Sequence, residues 1–529
     1  MRSRYDAIVI GAGHNGLVAA SYLAKDGLSV AVFERNERVG GACVTNEIIP
    51  GFRVSGAAQV LGMFRAEIIR DLDLERHGLA YRLREPEVFV PFPDGRHLFF
   101  YGDASRTIAS IARLSTHDAE AYPHYDAYTA RIARIVGRFM LAPAPTVGEF
   151  AEAFDGPDGP DMLQLALFAS VDEYLSRFFE SDYVKGPLAY GGLSGSAAGP
   201  RTPGTAFSKF YHSATGLGGA LGTWALVRGG MGSVTQALAL ALERLGGEVV
   251  CGREVAAIRY ENDRAIGVVL ADGTECRSQI VLSNADPKRT LLGLVPKEAL
   301  PDGLAERVHR IRMEGTGFKI NFALSELPSF LALPGTTVGP QHTGGIMIAP
   351  SVDYLERAWD EAKYGRPSRQ PFSQMFIQSA TDPTLAPEGG HTLSMWGHHF
   401  PYRLRQGDLD TERAQLQERM IDLMSEYAPN FRRSVLASEV FLPADLERAY
   451  GLTGGQIFHG ELAPGQVLWG RPLPGISGHN TPVAGLYLCG AGTHPGGDVS
   501  GAPGYNAARA ALRDLRDSTG GAIPAGPPR

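Results

Sequence analysis

Residues 11–16 read Gly-Ala-Gly-His-Asn-Gly and stand between "YDAIVI" and "LVAASYLAKDGLSVAVFE". Three glycines at this spacing suit a phosphate chain. Gly11 permits a tight turn, Gly13 lets the backbone approach a pyrophosphate, and Gly16 lets a helix pack closely on a sheet. Ala12, His14 and Asn15 complete the loop. A helix opening here would aim its unpaired N–H groups at the anion. Glu34 follows about 20 residues on, where a carboxylate can accept hydrogen bonds from ribose hydroxyls. The chemistry these residues point to is dinucleotide binding.

The elements that must position the loop are legible around it. Residues 5–10 form an apolar run that ends at glycine, the pattern of a buried strand. Leu17, Val18, Ala20, Tyr22 and Leu23 fit a helix that stops near Asp26-Gly27. Residues 28–33 read as the next strand, which completes a βαβ unit.

The whole chain sets wider bounds. Its 529 residues suit two domains or so. An apolar content of 44% with 20% charged residues is that of a globular soluble protein. A net charge of −7 gives no footing for nucleic acid. No apolar run reaches the roughly 18–20 residues of a membrane span. The first strand begins by residue 5, leaving no room for a cleavable presequence, so a cytoplasmic location is expected. The stretch 518–529, "STGGAIPAGPPR", is expected to be a disordered tail. Cys43, Cys251, Cys276 and Cys489 form no CxxC pair, and no metal-ligand cluster is present.

Two further stretches specify the nucleotide. From Glu34 and Arg35 onward the chain reads "ERNERVGGACVTNE", and near its far end "GLYLCGAGTHPGGDVSGAPGYNAARAALRDL". The first resembles the ExxxRxGG signature of FAD enzymes with the glutathione-reductase-type fold, shared by amine oxidases and phytoene desaturases. The second is similar to the GAGTHPG segment of bacterial phytoene desaturases. Ala42 stands where amine oxidases usually have arginine, which tilts the match toward the desaturases. The "GAGHNGLVAA" start, "TGGQIFHGEL" and "RPLPG" resemble the branch that contains the pyridine nucleotide-disulphide oxidoreductase domain-containing proteins.

The resemblance implies an α/β fold: a glutathione-reductase-type FAD-binding Rossmann domain with an interleaved α+β substrate domain. The expected FAD-binding segments are 1–85, 225–290 and 475–517; the substrate domain is expected from 86–224 and 291–474. It places Gly40 and Gly41 against the pyrophosphate, with Arg38 facing it and Ala42 following. It gives Val255 a backbone contact to adenine. Gly490, Gly492, Val499 and Ser500 inherit contacts near the flavin ribitol. The helix expected over 502–514 would turn its amino terminus to the negative pyrimidine edge of reduced flavin. No second GxGxxG exists, since Leu221 fills the third glycine place of "GLGGALG". An NAD(P)H domain is therefore not expected, and oxygen, a quinone or another carrier would reoxidise the flavin.

In the substrate half, helical periodicity covers 119–141, 162–176 and 411–427, and strand patterns cover 318–324, 372–379 and 391–397. An antiparallel sheet with covering helices fits. The segment 188–219, rich in small and aromatic residues, reads equally as substrate-facing or as a long structural loop. Arg131, Arg134 and Arg138 share one helical face; a solvated face is favoured over peripheral membrane contact. His212, His459 and His494 are acid–base candidates, the latter two favoured because the family brings their segments to the flavin. In "GTGFKINFAL", Phe318, Ile320 and Phe322 alternate with Lys319, Asn321 and Ala323, the period of a half-buried strand. Lys319 resembles the lysine that holds a water near flavin N5 in amine-oxidase relatives; the alternative is a lysine shielding a sheet edge.

The expected activity is an FAD-dependent oxidoreductase that removes hydride from a C–H bond of a small or lipophilic organic substrate. A redox-neutral double-bond isomerase and a non-enzymatic FAD scaffold are the alternatives. Flavin disulphide reductases carry a GGxCxxxxC pair where this chain has Cys43 and Ile48, so no dithiol relay can form. Cys43→Ser is expected to leave flavin content and turnover nearly unchanged. A large loss of turnover with flavin retained would contradict that reading.

Overall fold

A computed structural model describes residues 2–518. A five-stranded parallel sheet lies under the glycine loop. Its strands run in the order Leu486–Leu488, Ile280–Ser283, Ala7–Ile10, Val30–Phe33, Glu248–Val250. Both faces are covered, so these strands read as continuous apolar runs. Ala7, Val9, Val30, Val32 and Leu282 face one core, with the helices His14–Lys25, Gly232–Arg244 and Ala502–Ser518. Ile8, Ile10, Ala31, Phe33 and Val281 face a second core under a three-stranded antiparallel sheet. That sheet comprises Val255–Glu261, Arg264–Leu270 and Glu275–Arg277. Its first turn places Asn262 and Asp263 at positive φ, which these residue types tolerate best after glycine.

A seven-stranded sheet forms the second layer, in the order Val435–Phe441, Gly317–Leu324, His391–His398, Phe372–Phe376, Gly345–Ile348, Val88–Pro91, His97–Phe100. It is antiparallel except between Gly345–Ile348 and Val88–Pro91, which run parallel, so the purely antiparallel expectation needs that correction. One face is apolar: Phe318, Ile320, Phe322, Met375 and Met395 pack with residues of the helix Leu409–Tyr427. The opposite face carries Lys319, Asn321, Gln374, Ser394 and Trp396.

Several local expectations change. The strand Gly317–Leu324 is buried on both faces, not half-buried, because the segment 56–57 covers its Lys319 face. The helix expected over 162–176 is two helices, Gly159–Phe168 and Val171–Ser176. Between them Ser170 and Glu173 form a reciprocal capping box that starts a new helix. The segment 188–219 is not a long loop, since it contains the buried helix Thr205–Ser213. Arg131, Arg134 and Arg138 are exposed, with Arg131 3.2 Å from Asp158. No helix among the described residues is long and apolar enough to cross a membrane. Ser518 closes the last helix; the rest of the expected tail lies outside the described residues.

Burial leaves a large mark on several histidines. It pushes His398 and His494 down to about 3 and His479 to about 4. In the unfolded chain each binds a proton below about 6.5. The unfolded state therefore holds more protons between these limits, and stability falls as pH falls. Each histidine contributes a slope of about 1.4 kcal/mol per pH unit across that window. The thermal midpoint is expected to drop steadily from pH 7 to pH 5; an unchanged midpoint would contradict the buried-neutral assignment.

Candidate active site

The helix His14–Lys25 starts at Gly13 with no side-chain cap and no acidic residue in its first turn. Its opening amides are thus left for an outside acceptor. The approach is as close as it looks from sequence. A Cβ at Gly16 would stand 2.2 Å from the Gly11 carbonyl oxygen, and one at Gly13 would stand 2.7 Å from Asn284 Nδ2. The Gly40 amide donates to the Ala12 carbonyl at 2.9 Å, which lays residues 40–41 beside the loop.

Glu34 ends the second strand and is 5% exposed. Its two carboxylate oxygens accept from the Ala12 amide at 2.8 Å and the Asn36 amide at 2.9 Å. This fixes the carboxylate while lone pairs remain for further donors. His14 Nε2 and Asn15 Oδ1 are buried without a partner. Burial, and then the nearby His459, push His14 down to about 4, so it is neutral at pH 7. Free amides, a fixed carboxylate and orphaned polar atoms around one glycine cradle fit an FAD pyrophosphate and ribose.

These residues open into a cavity of about 1050 Å³, at the upper end of the roughly 300–1,000 Å³ usual for small-molecule sites. Gly11, Gly13, His14, Asn15, Glu34 and Arg35 line it, as do Gly40, Gly41, Ala42, Val255, His459 and Val499. The same cavity continues to the polar face of the seven-stranded sheet, where Met347, Gln374 and Trp396 form its wall.

Other expected site residues stand elsewhere. Ala12 and Gly16 are buried behind the loop, and Gly490 and Gly492 pack against Asn284 and Pro287. Ser500 accepts from the Ala502 amide at the start of the last helix. Arg38 is exposed; it donates to the Thr45 carbonyl and to Asn46, and it does not line the cavity. His494 does not line the cavity; its Nε2 is engaged by the Phe139 carbonyl at 2.7 Å. Lys319 is 0% exposed on an inner strand, which removes the sheet-edge alternative. It bonds Ser394 Oγ at 2.6 Å and the Ala57 carbonyl at 3.2 Å, so it braces the cavity wall from behind. Burial holds its ammonium well below the usual lysine range. Cys43 is buried with its thiol on the Met231 carbonyl, and burial pushes it up to about 12.

The chain also matches a model of flavin-containing amine oxidoreductases over residues 16–512. It belongs to that family. It is 37% identical to the mouse (Mus musculus) pyridine nucleotide-disulfide oxidoreductase domain-containing protein 2, over 98% of this chain and 95% of that protein. It is 28% identical to a phytoene desaturase (lycopene-forming) of Pseudescherichia vulneris, over 96% of this chain and 98% of the other. The fold is similar to that of an oxidoreductase from Methanosarcina mazei, with a TM-score of 0.61 at 19% identity, covering 96% and 99% of the two chains. Membership settles the cofactor as FAD and the class as FAD-dependent oxidoreductase.

His212, one of the three expected acid–base histidines, lines the cavity, whereas Asp498, Asn284, Arg84 and Lys209 escaped the sequence reading. His212 bonds the Ser208 carbonyl through Nδ1 at 2.7 Å, and its Nε2 lies 3.7 Å from Asp498. Both line the cavity, as do Asn284, Arg84 and Lys209. Two signals were present: Lys209 is the one lysine in the helix "TAFSKFYHS", and Asp498 is the one acid in the turn "PGGDVSG". Arg84, between the two layers, gave none. Gly13→Val is expected to yield folded but colourless protein, because the new side chain strikes Asn284 and fills the cradle. Normal flavin absorbance in that variant would contradict the assignment.

Proposed function

We propose that this chain oxidises a small organic substrate at a C–H bond, creating C=C or C=N. One observation carries the reading: a single cavity joins the dinucleotide cradle to an aromatic-walled chamber that holds a buried acid–base pair. FAD, when bound, supplies the hydride acceptor. We assign the cofactor domain to 1–85, 225–290 and 475–517, and the substrate domain to 86–224 and 291–474. Oxygen or a quinone is the proposed final acceptor.

The chain's own contribution is orientation, water exclusion and proton transfer. Tyr125, Tyr190, Trp224 and Trp396 wall the chamber. His212 Nδ1 donates its hydrogen to the Ser208 carbonyl, which leaves Nε2 as the free base facing Asp498. Burial lowers the His212 pKa, while Asp498 pulls it back upward; the ring is neutral at pH 7. Hydride loss from one substrate atom and proton loss from its neighbour balance the oxidation, and His212 Nε2 takes the proton. His459, also lining the cavity with an unpartnered Nδ1, is a second proton site. Lys319 is assigned a positioning role through Ala57. The phytoene desaturase relative supports carbon–carbon dehydrogenation over amine oxidation.

The test is anaerobic mixing of the yellow protein with fractionated extract. Net oxidation bleaches the flavin and leaves it reduced. Turnover without bleaching would instead identify an isomerase, and no turnover with intact FAD would favour a scaffold. With a bleaching substrate found, His212→Asn is expected to retain FAD and slow flavin reduction at least about 100-fold, as for loss of a general base. The wild-type rate is expected to fall on the acid side, at a pH lower than that at which an ordinary histidine titrates, as His212 gains its proton. Wild-type rates in His212→Asn would remove it from the mechanism.

A further inference from the structure

Two arginines are deeply buried, and the fold treats them differently. Arg471, 1% exposed, donates to the carbonyls of Phe458, Gly460, Glu461, Gln466 and Ala491. Its charge is wrapped in acceptors, which is how a structural buried guanidinium is accommodated. Arg84 is 8% exposed and lines the cavity, yet its Nε and one terminal nitrogen, Nη1, have no hydrogen-bond partner among the described residues. Its guanidinium carbon lies 5.7 Å from the rings of both Trp224 and Phe376, which orient the plane without meeting its N–H groups. Burial pushes Arg84 down to about 10, so it remains charged at neutral pH.

A second cation lines the same cavity. Lys209 is 8% exposed, and its ammonium donates to the Leu188 carbonyl at 3.2 Å and sits 5.7 Å from the Tyr125 ring. Two of its three donors are left. The acids nearby are Glu87, which acts on Arg84 through space, and Asp126, which acts on Lys209; neither is hydrogen-bonded to these cations, and burial raises both acids by more than the cations lower them. An unpaired guanidinium held in a low-dielectric pocket binds a planar, two-oxygen anion best.

We propose that Arg84, assisted by Lys209, binds a carboxylate of the substrate, so that the substrate class is an organic acid with an apolar or aromatic body. The aromatic walls named above receive that body. The proposal rests on the oxidoreductase reading for the word substrate, but the anion site itself does not need turnover.

The test is a binding titration of FAD-loaded protein, read as a change in the flavin visible spectrum. The probes are benzoate, 4-phenylbutyrate and dodecanoate, each beside its matching primary alcohol and primary amine. At least one carboxylate is expected to saturate, at least tenfold tighter than its alcohol and amine. Arg84→Met should weaken it at least tenfold with FAD content unchanged, and Arg84→Lys should restore part of the loss. Lys209→Met should weaken it less. If Arg84→Met fails to fold, Arg84→Lys and the three head groups on the unaltered chain still decide. Preference for amines would assign the site to Glu87 and overturn the proposal, as would equal affinities, unaltered binding in Arg84→Met, or no saturation by any carboxylate. Arg84-dependent carboxylate binding in a protein that no organic substrate bleaches would keep the anion site and sink the oxidation reading. Bleaching by a neutral substrate, indifferent to Arg84→Met, would do the reverse.

Discussion

A helix amino terminus that the protein itself leaves uncapped is the interaction on which the site depends. The opening amides of His14–Lys25 face outward because the preceding strand ends at Gly11 and no side chain folds back over Gly13. An anion is needed there to complete the hydrogen bonding. Everything adjacent respects that need. Asn284 braces the loop from beside the neighbouring strand, residues 40–41 lie alongside, and Glu34 is fixed by two amides. The parallel sheet brings these pieces together from residues nearly 500 apart in sequence, counting the strand Leu486–Leu488.

The second layer converts that binding cleft into a reaction chamber. One face of the seven-stranded sheet is apolar and builds a core; the other bears polar residues, of which Lys319 and Asn321 are covered by residues 56–57. Lys319 illustrates the consequence. A lysine on that face has no route to solvent, so it loses stabilisation as a cation and spends its donors on Ser394 and Ala57. Several histidines are neutralised by the same burial. The chamber therefore holds neutral bases beside two cations, Arg84 and Lys209, a contrast in charge able to orient a bound anion.

Much of this was legible in the sequence, and the reason differs by region. The glycine loop, Glu34 and the flanking strands were readable because the phosphate cradle is local: strand, loop and helix are contiguous, and each glycine has one steric purpose. Gly40, Gly41 and Val255 were reached only through resemblance, since their positions depend on contacts between distant segments. Arg38 shows the limit of such transfer, for here it turns to Thr45 and Asn46 at the surface. In the substrate half, periodicity located the elements but not what faced the cavity. Lys319 lies on the expected face yet is separated from the cavity by Ala57, and His494 is held by Phe139. His212, Lys209 and Arg84 meet only when a helix at 205–213, a crossing segment at 84 and a glycine turn at 498 converge. No spacing within any one of them encodes that meeting.

The account's central claim is that one continuous cleft holds FAD against the residue 11–16 loop and opens its reactive end onto the Arg84 chamber. A crystal structure of the yellow, FAD-loaded protein tests it most directly. The account predicts diphosphate density within hydrogen-bonding distance of the amides of residues 13–16, ribose hydroxyls on Glu34, and a flavin ring bordering the chamber lined by His212 and Arg84. Diphosphate density away from that loop, or a flavin sealed from the chamber by protein, would contradict it.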